Sequence, residues 1–175
     1  YFEDQRSYHT LKTGWVYDEG HWYYLQKSGG FDARIDRLTV GELARGWVKD
    51  FPLTYDEDKL KAAPWYYLDP TTGIMQTGWQ YLGNKWYYLR SSGAMATGWY
   101  QEGSTWYYLD AENGDMKTGW QYLGNKWYYL RSSGAMATGW FQVNGKWYYA
   151  YSSGALAVNT TVDGYSVNYN GEWVQ

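Results

Sequence analysis

The chain has 175 residues, a formal net charge of −3 and no cysteine, and it contains 13 Trp and 22 Tyr. The charge gives no basic surface for nucleic acid, and the sequence contains no run of about 18 apolar residues that could insert into a membrane. Without cysteine there are no disulfides or zinc–thiolate sites. So many tryptophan and tyrosine rings exceed what one aliphatic core needs. We therefore expect a repeated unit whose aromatic rings also carry a polar N–H or O–H group.

The first residues indicate where the repeat frame begins. Tyr1-Phe2 matches the end of a Trp-Tyr-Tyr-Leu strand whose beginning is absent, so we expect the sequence to start inside a repeat. It has no start Met and no apolar signal sequence, which favours an excised fragment.

A Gly-Trp pair recurs along the chain, and a second Trp that opens an aromatic triplet follows each one, in a unit of about 20 residues. The first tryptophans are Trp15, Trp47, Trp79, Trp99, Trp120 and Trp140. The second tryptophans are Trp22, Trp65, Trp86, Trp106, Trp127 and Trp147. Residues 77–99 recur unchanged as residues 118–140, which indicates duplication of a whole unit.

Each unit has the pattern of a short β-hairpin. Within residues 79–89, alternating aromatics flank Gly83-Asn84, a pair that can take positive φ and close a two-residue turn. This turn pairs Tyr81 with Trp86 and places the rings of both strands on one face. A single hairpin is marginally stable in water, so the sequence predicts an all-β solenoid of stacked hairpins over residues 1–175.

The Gly-Trp spacing widens twice, at insertions near residues 32–45 and 50–64. Surface loops outside the solenoid are the preferred interpretation of both. The first could also contain a short helix over Val40–Ala44, and the second has a run from Thr54 that is typical of a capped turn of helix stopped by Pro64. The acidic residues of the second insertion lack the twelve-residue loop of a calcium site, so no metal site is predicted.

The last residues predict a terminal cap hairpin at 162–175. It contains an Asn170-Gly171 turn and Trp173 but no Gly-Trp pair, as expected of a cap with a more polar outer face, and we interpret it as the C-terminus. A homodimer through this C-terminal hairpin is an open partner prediction.

The repeated Thr-Gly-Trp, Trp-Tyr-Tyr-Leu and Gly-x-Met-x-Thr-Gly-Trp segments resemble the choline-binding repeats of cell-wall proteins from pneumococcus and its phages. The resemblance covers nearly the whole chain and implies a solenoid whose sites each join about three rings and a Met between consecutive hairpins. It also implies choline or phosphocholine as the ligand, no cofactor, and a secreted, cell-surface protein attached to choline residues of teichoic and lipoteichoic acid.

The chemistry of the rings agrees with this resemblance. A quaternary ammonium cannot donate an N–H hydrogen bond, and each aromatic face that it contacts contributes about 0.5–2 kcal/mol. Methionine adds a polarizable apolar wall without a competing charge. The alternative is that the rings form only the core between hairpins, and we prefer that interpretation for residues such as Tyr87 and Leu89.

The family pattern predicts four sites, each with two Trp of one hairpin, a Tyr of the next and a Met. Their members are Trp47, Trp65, Tyr88 and Met75; Trp79, Trp86, Tyr108 and Met95; Trp99, Trp106, Tyr129 and Met116; and Trp120, Trp127, Tyr149 and Met136. Which of the two adjacent tyrosines in each Trp-Tyr-Tyr triplet lines the site is left open. Two less complete sites comprise Trp15, Trp22 and Tyr67, with Phe31 or Leu43 in the Met position, and Trp140, Trp147 and Leu156.

Two other classes of function are alternatives to choline binding. His9 and His21 are the only histidines, and neither has the spacing of a triad or a metal site, so no catalysis is predicted. In the family, an N-terminal hydrolase, esterase or adhesin domain commonly precedes such arrays. A glucan- or glycan-binding repeat is the alternative function, but paired Trp and Met without a recurrent Asp, Asn or Arg favour a cation site.

Overall fold

The computed structural model describes residues 13–26, 42–52 and 55–174. These residues form fifteen strands and one short helix, in two compact units. Unit 1 comprises residues 1–80 and 89–95, and unit 2 comprises residues 81–88 and 96–175. No helix among the described residues is long and apolar enough to cross a bilayer.

The strands form antiparallel hairpins, as the sequence predicts. In unit 1 the strands are β1 (Gly14–Asp18), β2 (His21–Leu25), β3 (Gly46–Lys49) and β4 (Trp65–Leu68). Strands with residues in both units are β5 (Gly78–Leu82) and β6 (Lys85–Leu89). In unit 2 the strands are β7 (Gly98–Glu102), β8 (Thr105–Leu109), β9 (Gly119–Leu123), β10 (Lys126–Leu130), β11 (Gly139–Val143), β12 (Lys146–Ala150), β13 (Thr160–Val162), β14 (Tyr165–Val167) and β15 (Trp173–Val174).

The β9–β10 hairpin shows the predicted turn and register. Gly124 and Asn125 take positive φ angles of 55° and 62°, which closes the two-residue turn between the strands. The register pairs Tyr122 with Trp127 and therefore brings the rings of both strands to one face. The prediction of an all-β array of stacked hairpins is confirmed within each unit.

The buried core of the described repeats is mainly aliphatic, with Tyr24, Phe141 and Tyr148 but no tryptophan. From β4 to β12, the second strand of each hairpin ends on a buried side chain, and the connector that follows folds back to pair with it, as Met136 does with Leu130. These buried strand ends are Leu68, Leu89, Leu109, Leu130 and Ala150. Burial of each leucine stabilises the folded state by about 1.5–3 kcal/mol. The leucines therefore fix each hairpin to its connector, while the tryptophan rings lie nearer the surface.

The first insertion ends in a connector and not in a helix. Leu43 pairs with Leu25, and the Ala44 N–H donates to the Tyr24 carbonyl at 2.8 Å, so the chain is extended here. The short helix considered over Val40–Ala44 does not form in its described residues, because they pair with the end of β2 as a connector. Leu43 thus takes the Met position, whereas Phe31, Val40 and Tyr1-Phe2 lie outside the described residues.

The second insertion contains the predicted turn of helix. Helix α1 (Glu57–Ala62) lies in the long loop between β3 and β4, and the Asp56 carboxylate accepts the N–H groups of Asp58 and Lys59. The helix ends before Pro64, as expected from the residue type.

The terminal sheet begins slightly earlier than predicted. Its strands β13, β14 and β15 pair in sequence order, with Asp163-Gly164 at the first turn and Asn170-Gly171 before β15. Trp173 pairs with Val167, which places it where the other connectors have Met or Leu.

Candidate functional site

In several hairpins the first tryptophan is packed between two tyrosine rings. In unit 2, the Trp99 ring lies 5.1 Å from Tyr108 of its own hairpin and 4.9 Å from Tyr128 of the next, both edge-on. The same arrangement recurs around Trp120. Edge-to-face pairs of this kind add about 0.5–1.5 kcal/mol each beyond area burial, so these residues hold consecutive hairpins together.

The second tryptophan of each hairpin is exposed, and in two hairpins of unit 2 it stands perpendicular to the first. The Trp99 and Trp106 ring centroids are 6.4 Å apart with an interplanar angle of 83°, and Trp120 and Trp127 repeat this at 6.4 Å and 87°. Between 37% and 45% of each second tryptophan is exposed. These residues are Trp22, Trp65, Trp86, Trp106, Trp127 and Trp147. Each perpendicular pair is an open corner with two aromatic walls.

The connector residue in the Met position lies beside the second tryptophan of the preceding hairpin. Met136 donates its N–H to the Trp106 carbonyl at 2.8 Å, and both residues line one cavity of about 460 Å³. The same backbone bond joins Met75 to Trp22 and Met95 to Trp65 in unit 1, and Met116 to Trp86 and Leu156 to Trp127 in unit 2. A connector therefore supplies the apolar third wall to a hairpin that is not its own.

This arrangement corrects how the sequence grouped the methionines. The predicted partner of Trp106 is Met116, but Met116 lies on Trp86, and Met136 lies on Trp106. The physical reason is that each connector folds back along its own second strand and then reaches the preceding hairpin. Likewise, Leu156 lies on Trp127 and not on the predicted Trp147.

The tyrosine that reaches back to the preceding hairpin also differs from the prediction by one position. Tyr128, and not Tyr129, is the ring that contacts Trp99, because Tyr129 lies on the same hairpin face as Trp120. Tyr129 packs 5.0 Å from Trp120 and stacks at 5.4 Å on Phe141.

The other predicted tyrosines occupy positions equivalent to Tyr129. The contacts are Tyr88 with Tyr100 at 4.0 Å, Tyr108 with Trp99 at 5.1 Å, Tyr149 with Trp140 at 5.2 Å and Tyr67 with Trp47 at 5.1 Å. Two complete sets in unit 2 are Trp99, Trp106, Tyr128 and Met136, and Trp120, Trp127, Tyr148 and Leu156. The predicted set of Trp79, Trp86, Tyr108 and Met95 has members in both units.

The cluster in unit 1 contains a carboxylate that the sequence pattern did not reveal. Asp50 accepts the Trp15 indole N–H and the Tyr24 hydroxyl, each at 3.0 Å, and the Tyr66 ring lies 4.6 Å from Trp15. Burial raises the pKa of Tyr24, and the Asp50 charge raises it further. Asp50 belongs to the second insertion, where no repeat signal marks it, although it starts the loop directly after β3.

The connector after β8 carries charges that neutralise one another. Asp110 accepts the Glu112 and Asn113 N–H groups, and together with the Lys117 ammonium 3.0 Å away these bonds hold the pKa of Asp110 at about 2. Asp115 pairs with the same lysine at 3.1 Å. Among the described residues, no cluster of His, Cys, Asp or Glu could hold a metal ion.

Family models match more than half of the chain. The model described as a choline-binding repeat matches residues 76–118 and 117–160, and a model described as a putative cell wall binding repeat matches residues 13–31. No curated protein matches the chain.

Several solved structures are similar to this chain. Choline binding protein F from Streptococcus pneumoniae is 60% identical, with a TM-score of 0.60 over 94% of this chain and 58% of that chain. CbpJ from Streptococcus pneumoniae TIGR4 is 66% identical, with a TM-score of 0.60 over 93% and 58%. The modular autolysin LytC from Streptococcus pneumoniae is 29% identical, with a TM-score of 0.57 over 91% and 37%. The chain thus spans less than two thirds of the length of each of these relatives.

Proposed function

This chain belongs to the family of choline-binding repeat proteins, and from that premise we propose that the corners beside its second tryptophans are the sites that bind choline. The repeat array is a choline-binding module and is itself non-catalytic. The proposal concerns which residues bind and what the module attaches to.

The observation that carries the proposal is the exposed, perpendicular pair of indole rings with an apolar connector residue beside it. Trp106 is 37% exposed although it is a large aromatic residue, and its ring stands at 83° to Trp99. Two ring faces at a right angle can both contact a trimethylammonium group, and Met136 adds a neutral polarizable wall. A packing role alone gives no reason to leave this ring in water at the same position of every repeat.

The ligand source that fits these sites is a polymer that carries many choline groups. One site closes on a small group and should bind in about the millimolar range. Several sites on one chain make later contacts intramolecular and raise avidity by about 10²–10⁴. We therefore propose that the module attaches a secreted protein to choline residues of teichoic and lipoteichoic acids at the cell surface.

Two finer proposals follow from the family resemblance. A longer protein that contains this module is proposed to carry an N-terminal domain such as a hydrolase or an esterase. A homodimer through the C-terminal sheet is proposed as the partner arrangement, and sedimentation velocity of the chain with and without choline tests it.

The central experiment compares choline with 3,3-dimethylbutan-1-ol, which has the same shape but no charge. Tryptophan fluorescence should change saturably with choline and not with the neutral alcohol, because only the cation is attracted to the ring faces. Trp106→Ala should lower the number of choline molecules bound per chain by one, measured by equilibrium dialysis. Equal responses to both compounds would refute the cation site.

A further inference from the structure

The site beside Trp65 in unit 1 already contains a cation that belongs to the chain. The Lys49 ammonium lies over the Trp65 ring, 5.7 Å from its centroid, and over the Phe51 ring at 5.4 Å. Both distances are within the roughly 6 Å that is typical of cation–π contacts. Met95 donates its N–H to the Trp65 carbonyl at 2.7 Å, so this site has its connector methionine like the others. Lys49 therefore contacts a ring that, under the proposed function, contacts choline.

The position of Lys49 follows from the register of the β3–β4 hairpin. Lys49 pairs directly with Trp65, and cross-strand partners lie on the same face of a hairpin. In hairpins β1–β2, β7–β8, β9–β10 and β11–β12, the partner of the second tryptophan is an uncharged side chain. These partners are Tyr17, Gln101, Tyr122 and Gln142. The β3–β4 hairpin thus differs from these four in the charge beside its second tryptophan.

The second insertion holds the Lys49 ammonium in place. The Lys49 Nζ donates to the Lys61 carbonyl at 3.0 Å, in the last turn of α1, where carbonyl groups lack a partner within the helix. The Phe51 N–H donates to the Lys49 carbonyl at 3.1 Å, and the Asp50 N–H donates to the Pro64 carbonyl at 3.2 Å. These bonds keep both ends of the insertion beside the hairpin, and they keep the Phe51 ring next to the lysine.

A cation at this place opposes the binding of a second one. The ring faces that attract a trimethylammonium group are already in contact with the Lys49 ammonium, so choline either displaces it or binds beside a like charge. Displacement also breaks the hydrogen bond to the Lys61 carbonyl. Because Trp65 is 38% exposed, water screens part of the repulsion, and we expect weaker binding and not complete exclusion.

We propose that Lys49 determines the affinity of the Trp65 site, because its ammonium occupies the aromatic face and weakens the binding of choline there. This inference rests on the proposed function, since it assumes that the sites without such a lysine bind choline. Choline should bind at Trp65 about tenfold more weakly than at Trp106, a difference equivalent to about 1.4 kcal/mol. The second insertion thereby sets how many sites of the array bind choline at full strength.

The experiment follows the ¹⁵N-labelled indole N–H signals of Trp65 and Trp106 in the full chain during a choline titration at constant ionic strength. Trp65→Phe and Trp106→Phe assign the two signals. Trp106, whose cross-strand partner is Gln101, is the internal reference. In the natural protein, half-saturation at Trp65 should require about tenfold more choline than at Trp106. Equal half-saturation concentrations at the two residues would overturn the inference.

Two variants at Lys49 test whether its charge is the cause. Lys49→Gln gives the β3–β4 hairpin the residue type that Gln101 provides beside Trp106. In this variant, half-saturation at Trp65 should occur at about the same choline concentration as at Trp106. Lys49→Arg keeps a cation over the rings and should keep the weak binding. If Lys49→Gln does not strengthen binding at Trp65, the inference is refuted.

Lys61→Gln is the matched control for the loss of one positive charge. The Lys61 side chain is 77% exposed and lies 4.0 Å from the Glu57 carboxylate, and Lys49 contacts only the Lys61 carbonyl, which the variant retains. Binding at Trp65 should therefore stay as weak as in the natural protein. An equal gain in Lys61→Gln and Lys49→Gln would show that net charge, and not the lysine over the ring, sets the affinity.

A readout without choline separates this inference from the proposed function. The Cε protons of Lys49, assigned with Lys49→Gln, should resonate upfield of those of Lys61, because aromatic rings shield protons above their faces. An unshifted Lys49 signal in the folded protein would refute the inference whatever choline does. If Trp106 responds to choline and Lys49→Gln changes nothing at Trp65, only the inference fails. If Trp106 of the folded protein does not respond, the proposed function fails and the inference fails with it.

Discussion

The first aromatic cluster of unit 1 and the last one of unit 2 use the same ring positions but anchor the indole N–H differently. In unit 1, Trp15 donates to Asp50 at 3.0 Å, and the buried Tyr24 hydroxyl shares that carboxylate. In unit 2, Trp140 donates to Asp163 at 3.3 Å in an exposed bond. Hairpin stacking alone therefore sets the ring geometry, and the insertion in unit 1 adds a part-buried polar anchor.

The largest effect should come from removing that anchor. Asp50→Ala leaves the Tyr24 hydroxyl and the Trp15 N–H without their acceptor, and Tyr24 is only 3% exposed, so we expect a loss of about 2–3 kcal/mol in the free energy of unfolding. Urea denaturation followed by circular dichroism measures it. Asp163→Ala is the matched control and should cost less than about 0.5 kcal/mol, because its bond is exposed. Equal losses in the two variants would remove the distinction between the anchors.

A second pair of variants tests what the two units have in common, which is the close packing of a methionine against a connector glycine. A Cβ at Gly93 of unit 1 would lie 2.2 Å from the Met75 sulfur, and one at Gly134 of unit 2 would lie 2.3 Å from the Met116 sulfur. Both glycines also have a φ of 83°, so Gly93→Ala and Gly134→Ala should each cost about 2 kcal/mol.

The control for this pair is Gly139→Ala. Gly139 has a φ of 70°, but a Cβ there would meet nothing within 4 Å, so only the backbone strain of about 1 kcal/mol is expected. Urea denaturation compares the three variants. A Gly134→Ala protein as stable as Gly139→Ala would show that the methionine does not pack against this glycine.

These contrasts also show which features a single sequence can predict. The Gly124-Asn125 turn and the pairing of Tyr122 with Trp127 follow from alternation and turn chemistry, which are local. The placement of Met136 on Trp106 joins residues of different hairpins, and a periodic sequence is equally compatible with Met116 in that role. Asp50 could not be predicted because it occurs once, in a segment outside the repeat.

The third prediction concerns alkaline pH and unit 1. The raised pKa of Tyr24 means that the folded state retains a proton that the unfolded chain releases above its ordinary value of 10.0. Its stabilising contribution is complete below pH 10 and is lost as the pH rises toward the folded value. Asp50→Asn removes the charge but leaves the larger effect of burial, so tyrosinate absorbance at 295 nm should show Tyr24 ionising at lower pH in the variant. An unchanged titration would exclude an influence of Asp50 on Tyr24.

The smallest effect is expected at acid pH in unit 2. The pKa of Asp110 is lowered from 3.8 to about 2, so its stabilising contribution is present above pH 3.8 and is lost as the pH falls toward 2. Because the group is partly exposed, we expect about 1 kcal/mol after solvent screening. Urea denaturation between pH 2 and pH 5 should show this acid-side loss in the natural protein and a smaller one in Asp110→Asn. The same loss of unfolding free energy between pH 5 and pH 2 in both proteins would contradict the assignment of this loss to Asp110.

The proposed sites depend most on the position of each methionine beside the second tryptophan of the preceding hairpin. The chain has four methionines, so ¹³C-methyl labelling gives one signal each for Met75, Met95, Met116 and Met136. In a choline titration of folded Trp106→Ala, we predict that Met136 loses its response while the other three still shift. If Met116 loses its response instead, or if all four still respond, the arrangement of the sites described above is contradicted.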